Sequence, residues 1–494
     1  MEIFNDLFIF EMANNHQGSV EHGRKIIQYL GDLKHQYGIN AAVKFQYRDL
    51  DTMIHPDFIS RRDVKHIPRF LDTRLSPDEF YELVVAAREA GLRTMCTPFD
   101  EKSVDLCMDH GIEIIKVASC SAMDWPLLEK IAETHRPVII STGGKSYSDM
   151  DKIYNFFTHR KIDFAMLHCV GIYPVKEEQV QLDCIDKMKK RYPKVPIGYS
   201  GHEDPQNYSI AQMAVAKGAV ILERHVGLQT EEIALNAYST DVRELNGWID
   251  AVLSARKMCG KENEKKIPIE EMQSMRELAR GCYAKVAIKR GEELAREKLF
   301  FAMPCMEHQM TSGEFEPGMI ASQDYELNDA IYEHRKVTVA TDTRSLIHDV
   351  KGMLYEANIA IGDKFELELS HHYGIEHFRH YGATIINILN REYCKKILVV
   401  LPGQQHPVHY HKIKEESFQV LAGTLKLTLD EKESLVDAGE VITIERGKKH
   451  AFTSDRGCIF EEISTTHVKN DSYYDDNRIN EMSLSDRKTI FENW

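Results

Sequence analysis

The sequence predicts a (β/α)8 barrel of the TIM type on its N-terminal side and an all-β domain toward its C-terminal end. Eight short apolar runs alternate with amphipathic stretches between residue 7 and about residue 260, which is typical of parallel strands joined by helices. Eight such units in roughly 250 residues match the size of this barrel. After residue 332 the segments 395–401, 417–429 and 440–447 are rich in residues that favour strands.

Strands and helices can be assigned in chain order within the barrel region. The stretches 77–91 and 204–219 are helical patterns, each with a capping residue in front and glycine at or near its end. An open doubly wound sheet is the alternative, but the first run is followed by EMANNHQG rather than by a glycine-rich phosphate turn. The eight runs are 7–12, 41–47, 92–97, 114–119, 137–142, 164–169, 196–200 and 220–225.

Three further regions follow the barrel, which we place at residues 1–262. The charged stretch GKENEKKIP (260–268) is typical of a linker. Residues 274–330 form a short segment with a turn at Lys289, Arg290 and Gly291, and we expect a small separate domain there. The β-rich domain spans 332–470, and the polar residues 471–494 are expected to be an only partly ordered tail.

Composition narrows the classes of function. The net charge of −15 argues against binding to nucleic acids or to a membrane surface, because no basic face is available to neutralise phosphates. The N-terminus has no signal-peptide pattern and no run reaches membrane-spanning length, so we expect a cytoplasmic protein. The ten cysteines occur singly, which suits reduced thiols.

Polar residues stand at the C-terminal ends of nearly all eight barrel runs, where barrel enzymes place their active sites. Two lysines and several hydroxyl groups facing one cavity can hold a phosphate and a carboxylate together. A single lysine or histidine at a strand end is more often solvated or hydrogen-bonded, but the repetition favours a functional ring. Its members are Glu11, Asn15, His16, Lys44, Gln46, Thr97, Lys116, Ser119, Ser141, Thr142, His168, Tyr173, Ser200, His202, Glu223 and His225.

Two metal sites are predicted from histidine spacing. His202 and His225 follow the last two runs and could share a labile divalent metal, for which manganese fits better than a closed structural zinc. In the C-terminal domain, strand periodicity brings three imidazoles and a carboxylate to one metal. These are His409, His411, Glu416 and His450. The alternative is a surface histidine cluster without metal.

The barrel motifs resemble, as a set, those of the sialic acid synthase family. The strings are EMANNHQG, AVKFQ, TPFDEKSVD, IKVAS, VIISTGG, HCVGIYP, IGYSGHE and ILERH. Residues 274 to about 318 more weakly resemble the antifreeze-like (SAF) domain that follows the barrel in that family. The stretches 403–423 and 439–454 are similar to the two cupin motifs, with Glu445 in place of the common proline and Ser454 in place of the common asparagine.

The family resemblance implies a condensation of phosphoenolpyruvate with N-acetylmannosamine or a related aldose, with release of phosphate. It implies that phosphoenolpyruvate is held by Lys44, Thr97, Lys116, Ser119, Ser141 and Ser200. It also implies that His202 and His225 bind manganese, that Glu11, Gln46 and Tyr173 contact the sugar, and that Glu223 transfers protons. Glu11, Glu223 and Lys116 are the candidate catalytic residues. A homodimer is implied, in which the small domain of one chain covers the barrel of the other.

Three departures from the family pattern leave the aldose open. Gly171 stands where many relatives have asparagine, and Asn236, a candidate sugar ligand, stands where relatives have aspartate. The segment FFAMPCMEHQMTSGEF lacks the arginine that relatives extend into a partner's site. The aldose could be N-acetylmannosamine, a phosphorylated form or a diacetamido sugar.

Two other functions compete with a sugar-acid synthase. The C-terminal motif is also similar to metal-dependent cupin sugar isomerases, so the cupin, with zinc, manganese or iron, could be an isomerase or epimerase while the barrel supports it. A sugar-sensing or assembly protein built on degenerate domains is the third interpretation. The intact set of Lys44, Lys116, His202 and His225 argues against it.

Overall fold

The computed structural model describes residues 2–260, 265–333, 339–492 and 494. The chain divides into two compact units, Met1–Lys266 and Ile267–Trp494. The predicted linker at 260–268 lies partly outside the described residues, at 261–264. Among the helices described, none is long and apolar enough to cross a membrane.

The first unit is a closed barrel of eight parallel strands in sequence order, with the last strand paired to the first. This confirms the predicted (β/α)8 fold, and each strand lies within two residues of its predicted bounds. A short strand, β9 (Thr240–Asp241), extends from β8. The barrel strands are β1 (Leu7–Glu11), β2 (Ala41–Tyr47), β3 (Arg93–Pro98), β4 (Ile114–Val117), β5 (Val138–Ser141), β6 (Phe164–Cys169), β7 (Ile197–Gly201) and β8 (Ile221–Gly227).

Helices surround the barrel, and one of the two predicted helices begins at the capping residue that the sequence indicates. Ser76 and Glu79 form a reciprocal capping box at the start of α4, as the predicted helix at 77–91 requires. The second predicted helix, 204–219, is shorter because α9 begins only at Ser209. The helices are α1 (Val20–Tyr37), α2 (Leu50–Met53), α3 (Ile67–Asp72), α4 (Pro77–Glu89), α5 (Glu101–Asp109), α6 (Trp125–Glu133), α7 (Tyr147–His159), α8 (Asp183–Arg191), α9 (Ser209–Ala216) and α10 (Leu245–Cys259).

The barrel has two apolar layers, one between strands and helices and one inside the ring of strands. On β1 the residues alternate, so that Phe8 and Phe10 pack edge-on against Trp248 of α10. Leu7 and Ile9 instead join the inner layer. That inner layer, fully buried, also contains Phe4, Ala42, Met95, Ile114, Ile139, Ala165, Leu167 and Ile221.

The second unit begins with α11 (Ile269–Leu278) and the antiparallel pair β10 (Gly281–Ala284) and β11 (Leu299–Ala302). Around this pair lies a separate small core that reaches from Cys282 to Ile331. This core overlaps residues 274–330, for which a small separate domain is expected. Its antifreeze-like identity stays a prediction.

The rest of the second unit is an eleven-stranded antiparallel arrangement with two apolar cores, in agreement with the predicted all-β domain. A helix, α12 (Val339–Glu356), precedes it and was not predicted; its Leu346, Val350 and Leu354 are buried in one of these cores. The strands are β12 (Glu366–Ser370), β13 (Ala383–Asn390), β14 (Tyr393–Val400), β15 (Gln405–His411), β16 (Glu416–Leu429), β17 (Lys432–Asp437), β18 (Val441–Ile444), β19 (His450–Thr453), β20 (Cys458–Thr465), β21 (Ser472–Tyr474) and β22 (Lys488–Phe491).

The C-terminal residues differ from the polar tail expected at 471–494. Strand β21 pairs with β15, β22 pairs with β12, and the helices α13 (Asn477–Glu481) and α14 (Leu484–Arg487) lie between them. The carboxylate of Asp471 accepts hydrogen bonds from the backbone N–H groups of Lys412, Ile413 and Lys414. These residues are polar because their strands are only half-buried, not because they are detached from the sheet.

Removal of residues 471–494 therefore tests the integration of this segment. We expect the melting temperature of the second unit to fall by at least about 5 °C, because two strand pairings and the Asp471 contacts are lost. Differential scanning calorimetry of the full and truncated chains measures this. The exposed substitution Glu481→Ala should leave the transition unchanged, and an unchanged transition after truncation would contradict the integration of β21 and β22.

His16, in the turn between β1 and α1, gives the barrel a pH dependence. Its ring packs edge-on against Phe80, and its Nδ1 accepts a hydrogen bond of 3.1 Å from the backbone N–H of Gly18. Burial, with smaller effects of His22 and Arg69, lowers its pKa to about 4. Protonation therefore favours the unfolded chain, whose histidine titrates near its ordinary value of about 6.5.

The stability contributed by neutral His16 should be complete above about pH 6.5 and lost progressively as the pH falls toward 4, by up to about 3 kcal/mol. Urea unfolding followed by tryptophan fluorescence at about pH 7.5 and about pH 4.5 measures this loss. In His16→Asn the difference between the two pH values should shrink. The same substitution at the exposed His159 serves as control, and an equal pH dependence in both variants would refute the assignment.

Candidate active site

The candidate site is a direct continuation of the inner apolar layer. Residues two apart on a strand share a face, so the next inward position toward each C-terminal strand end follows the apolar residue by two. At six strands that position carries a buried polar side chain. The pairs are Ile9 and Glu11, Ala42 and Lys44, Met95 and Thr97, Ile114 and Lys116, Ile139 and Ser141, and Ile221 and Glu223.

Buried ion pairs join these side chains into one cluster. The ammonium group of Lys44 lies 2.7 Å from Glu11 Oε2 and 2.8 Å from Glu223 Oε1. Lys116 lies 3.4 Å from Glu223 and donates a 2.6 Å hydrogen bond to Ser141 Oγ. Ser200 donates a 2.8 Å hydrogen bond to Glu223 Oε1. Two ammonium groups and two carboxylates therefore share one dry region.

Charge coupling within the cluster determines its protonation. Burial disfavours the charged form of Glu223, but Lys116 and Lys44 outweigh this and hold its pKa well below the ordinary value. Burial also opposes the charge of Lys44, yet Glu11 and Glu223 raise its pKa above the usual range. The pKa of Lys116 is lowered, first by burial and then by the nearby Lys44, with Glu223 opposing. Lys116 is therefore the ammonium group that gives up a proton more easily.

The predicted histidine pair lies at the same rim. The rings of His202 and His225 are 5.3 Å apart, and Tyr173 packs on His202 at 4.1 Å. The Nδ1 of His202 is 3.1 Å from the Val170 carbonyl oxygen, so Nδ1 carries the proton and Nε2 keeps its lone pair. Burial lowers the pKa of both histidines to about 3. Two neutral imidazoles are a suitable donor set for a labile divalent ion.

Other predicted residues lie at the edges of the cluster. Gln46 donates a 3.2 Å hydrogen bond to Glu11 Oε2, and Ser119 Oγ accepts one of 3.0 Å from the Gly143 N–H. Thr97 is buried beside Gln46 in the strand register. Asn236 bonds locally to the Tyr238 N–H. In the described ranges neither Thr97 nor Asn236 has a hydrogen bond to the lysine and glutamate cluster, so their substrate contacts stay predictions.

The structure also shows which residues the sequence pattern misassigned or missed. His168 was expected in the ring, but its Nε2 bonds to the Val180 carbonyl oxygen, because alternation on β6 turns it outward. Tyr238, which was not predicted, packs 5.1 Å from His225. Arg48 was also missed, and it donates a 2.7 Å hydrogen bond to Gln46. Its place two residues after AVKFQ was the available signal.

The predicted ligand set of the second unit does come together. Ligand atoms of His409, His411 and His450 all lie within 4.8 Å of one another, and each of these residues is buried. Glu416 Oε1 is 3.4 Å from His411 Nε2, and Glu416 Oε2 is 3.2 Å from His450 Nε2. Strands β15, β16 and β19 supply these residues, as the spacing predicted.

Hydrogen bonding prepares this set for a cation. The Nδ1 atoms of the three histidines face backbone carbonyl oxygens of Pro407, Asp471 and Lys448 at 2.7–3.1 Å, so each Nε2 is left as a lone-pair donor. Within the described chain, His411 Nε2, His450 Nε2 and Glu416 Oε2 are buried without hydrogen-bond partners. A buried polar atom without a partner costs free energy, and a bound ligand that contacts it removes this cost. The donor set therefore fits a divalent metal.

A cavity of about 690 Å³ opens beside this set. Residues that were not predicted line it, including a buried lysine, Lys414, which is ion-paired with Glu416 and lies 2.9 Å from Glu462. The His406 and His372 rings share an Nε2 to Nε2 contact of 3.1 Å. Local spacing did not indicate this histidine pair, because the two residues are 34 positions apart in the chain.

Comparison with known proteins gives a family match in each of the two units of the chain. The NeuB family model matches residues 34–264, and a cupin domain model matches residues 396–460. Human N-acetylneuraminate-9-phosphate synthase is 31% identical over 59% of this chain and 81% of its own length. An uncharacterized protein of Methanocaldococcus jannaschii is 31% identical over 60% of this chain and 84% of its own length.

One further relative and one solved structure also match this chain. The N,N'-diacetyllegionaminic acid synthase of Campylobacter jejuni is 26% identical over 66% of this chain and 99% of that protein. A crystal structure of a spore coat polysaccharide biosynthesis protein E from Chromobacterium violaceum is 41% identical, with a TM-score of 0.63, over 66% of this chain and 97% of that one. By these matches, and by the closed barrel whose motifs it carries, the chain belongs to the NeuB family.

Proposed function

We propose that the barrel is a nonulosonic acid synthase, a transferase that condenses phosphoenolpyruvate with N-acetylmannosamine or a related aldose and releases phosphate. The observation that supports this most is the buried cluster of Lys44, Lys116, Glu11 and Glu223 beside two neutral histidines. Relatives with this barrel are synthases of sialic and legionaminic acids.

Phosphoenolpyruvate carries two anionic groups, and the cluster offers two ammonium groups for them. Lys44 and Lys116 supply the positive charge, while Glu223 keeps them protonated and in place until substrate binds. Hydroxyl groups around them act as neutral donors. The hydroxyl donors proposed for this half of the site are Thr97, Ser119, Ser141 and Ser200.

The reaction forms one carbon–carbon bond, and at C2 it replaces the carbon–oxygen bond to phosphate by one to water. C3 of phosphoenolpyruvate attacks the aldehyde carbon of the open-chain aldose, the aldehyde oxygen takes up a proton, water adds at C2, and phosphate departs. Lys116, with its lowered pKa, is positioned to supply that proton, and one carboxylate of the cluster, Glu11 or Glu223, accepts the proton released from water. Burial of the cluster strengthens each of these interactions.

His202 and His225 would hold the divalent metal, for which we propose Mn²⁺. When bound, such an ion supplies Lewis-acid chemistry toward the aldehyde oxygen. Glu11, Gln46, Tyr173 and Asn236 would contact the sugar. Residues 274–330 would form the antifreeze-like domain, and the protein would act as a cytoplasmic homodimer.

The synthase function predicts phosphate release from phosphoenolpyruvate and Mn²⁺ with at least one aldose of a panel of N-acetylated hexosamines and their phosphorylated and diacetamido forms. His225→Ala should reduce this rate by at least about 100-fold, because one of two proposed metal ligands is removed. The exposed His159→Ala serves as the matched control. A folded protein that releases no phosphate with any aldose would rule out the synthase.

A second candidate function concerns the cupin, which could be a metal-dependent sugar isomerase or epimerase using zinc, manganese or iron. The observation in its favour is the convergence of His409, His411, His450 and Glu416 beside a cavity of about 690 Å³. Under this alternative the cupin would prepare the aldose or act on its own, and the barrel would have a coupled or supporting role.

His411→Ala separates the two functions. We expect the variant to lose the cupin metal, since a buried ligand with an unpartnered Nε2 is removed, while condensation by the barrel continues at the original rate. Metal content by mass spectrometry and phosphate release from the same preparation measure both effects. His159→Ala again serves as control. Loss of condensation together with the metal would instead show that the cupin is needed to supply the aldose.

A further inference from the structure

We propose that the aldose carries an anionic group, a phosphate ester or a carboxylate, and that Arg48 and Arg69 bind this group at the mouth of the barrel. The inference rests on the synthase function proposed above and names the class of its second substrate. It concerns a site distinct from the lysine cluster that would receive phosphoenolpyruvate.

Charge pairing sets these two arginines apart from their neighbours. Five arginines occur between residues 48 and 74. Three of them, Arg61, Arg62 and Arg74, make ion pairs with Asp63, Asp72 and Asp51, respectively. In the part of the chain that the structure describes, Arg48 and Arg69 have only neutral side-chain amide oxygens as acceptors. Their positive charges are thus available to an anion.

Arg48 is held rigidly in a position suited to binding. Its guanidinium lies between two aromatic rings, 4.2 Å from the centre of Phe70 and 3.8 Å from that of Phe99. Its buried Nε has no hydrogen-bond partner among the described residues. Burial lowers its pKa, and Glu11 opposes this only in part. A guanidinium stacked in this way, with an N–H group that has no partner among the described residues, can donate to an oxygen of a phosphate or carboxylate.

A chain of hydrogen bonds places Arg48 on the sugar side of the site. Arg48 donates to Gln46 Oε1, Gln46 donates to Glu11 Oε2, and the same oxygen pairs with Lys44. Gln46 and Glu11 are the residues proposed to contact the aldose. In this chain of contacts the Glu11 carboxylate stands between Arg48 and Lys44. One small anion is therefore not expected to contact both cations, so Arg48 would bind a second anionic group.

Arg69 reaches the same rim through Asn15. Its guanidinium is 3.5 Å from Asn15 Oδ1, and Asn15 Nδ2 donates to the carbonyl oxygen of Val226, next to His225. Arg69 also directly precedes Phe70, on which Arg48 stacks. Contacts thus connect Arg48 to Gln46 and connect Arg69, through Asn15, to the strand end that carries His225, so both cations belong to the rim at which the aldose would bind.

Three aldoses test the inference: N-acetylmannosamine, its 6-phosphate, and N-acetylmannosaminuronic acid. With Mn²⁺ and saturating phosphoenolpyruvate, we expect kcat/KM to be at least about tenfold higher for one of the anionic aldoses than for the neutral one. The preferred aldose identifies phosphate or carboxylate as the source of the charge. Arg48→Met and Arg69→Met should each lower kcat/KM for that aldose by about tenfold and leave the KM for phosphoenolpyruvate unchanged, and Arg69→Met should also leave kcat/KM for the neutral aldose unchanged. The control Arg62→Met, which removes a paired arginine, should change none of these.

A binding measurement keeps the test independent of turnover. Without phosphoenolpyruvate, N-acetylmannosamine 6-phosphate or the uronic acid should raise the melting temperature of the unaltered chain and of Arg62→Met, but not that of Arg69→Met, whose exposed side chain is not needed for folding. Preference for the neutral aldose, a raised KM for phosphoenolpyruvate in Arg48→Met, or no arginine-dependent thermal shift would each overturn the inference. If the shift occurs but no aldose is consumed, the anion site stands and the synthase function fails.

Discussion

The buried carboxylate of Glu223 is the constraint on which the candidate site depends. Lys44 and Lys116 form ion pairs with it, and Ser200 donates a hydrogen bond to it. One charge therefore holds three strand ends in register around the barrel axis. Two ammonium groups without such a partner could not both stay protonated in a dry barrel, because an unpaired buried charge costs several kcal/mol. Glu223 thus makes it possible for the fold to keep two cations protonated in its interior.

Strand alternation connects this constraint to stability. The inner apolar layer, which includes Ile9, Ile114 and Ile221, closes the barrel floor. The next inward positions toward the C-terminal strand ends are Glu11, Lys116 and Glu223, so the ion cluster begins directly above this layer. The same alternation faces Phe8 and Phe10 toward Trp248 on the outside. A slip of one residue in any strand would exchange apolar and charged faces, which fixes the register and thereby the geometry of the cluster.

Local pattern was enough to predict the eight barrel strands, most of the ring of polar residues and the convergence of His409, His411, Glu416 and His450, because each depends on spacing along single strands. What could not be predicted depends on the exact phase of a strand or on partners distant in sequence. The outward turn of His168 follows from the exact phase of β6, and the pairing of Lys414 with Glu462 joins residues 48 positions apart. The strands beyond residue 470 were missed because half-buried edge strands carry polar residues and look like a tail.

The two histidine sites differ in a way that bears on their roles. The cupin offers three imidazoles and a carboxylate, with each Nδ1 tied to a backbone carbonyl oxygen, and this number of fixed ligands favours tight retention of an ion. The barrel offers His202 and His225 and leaves most coordination positions to water or substrate. An ion with few protein ligands exchanges more easily and can accept oxygens of an incoming sugar. The barrel geometry therefore suits an ion that takes part in substrate binding, whereas the cupin geometry suits one that stays with the protein.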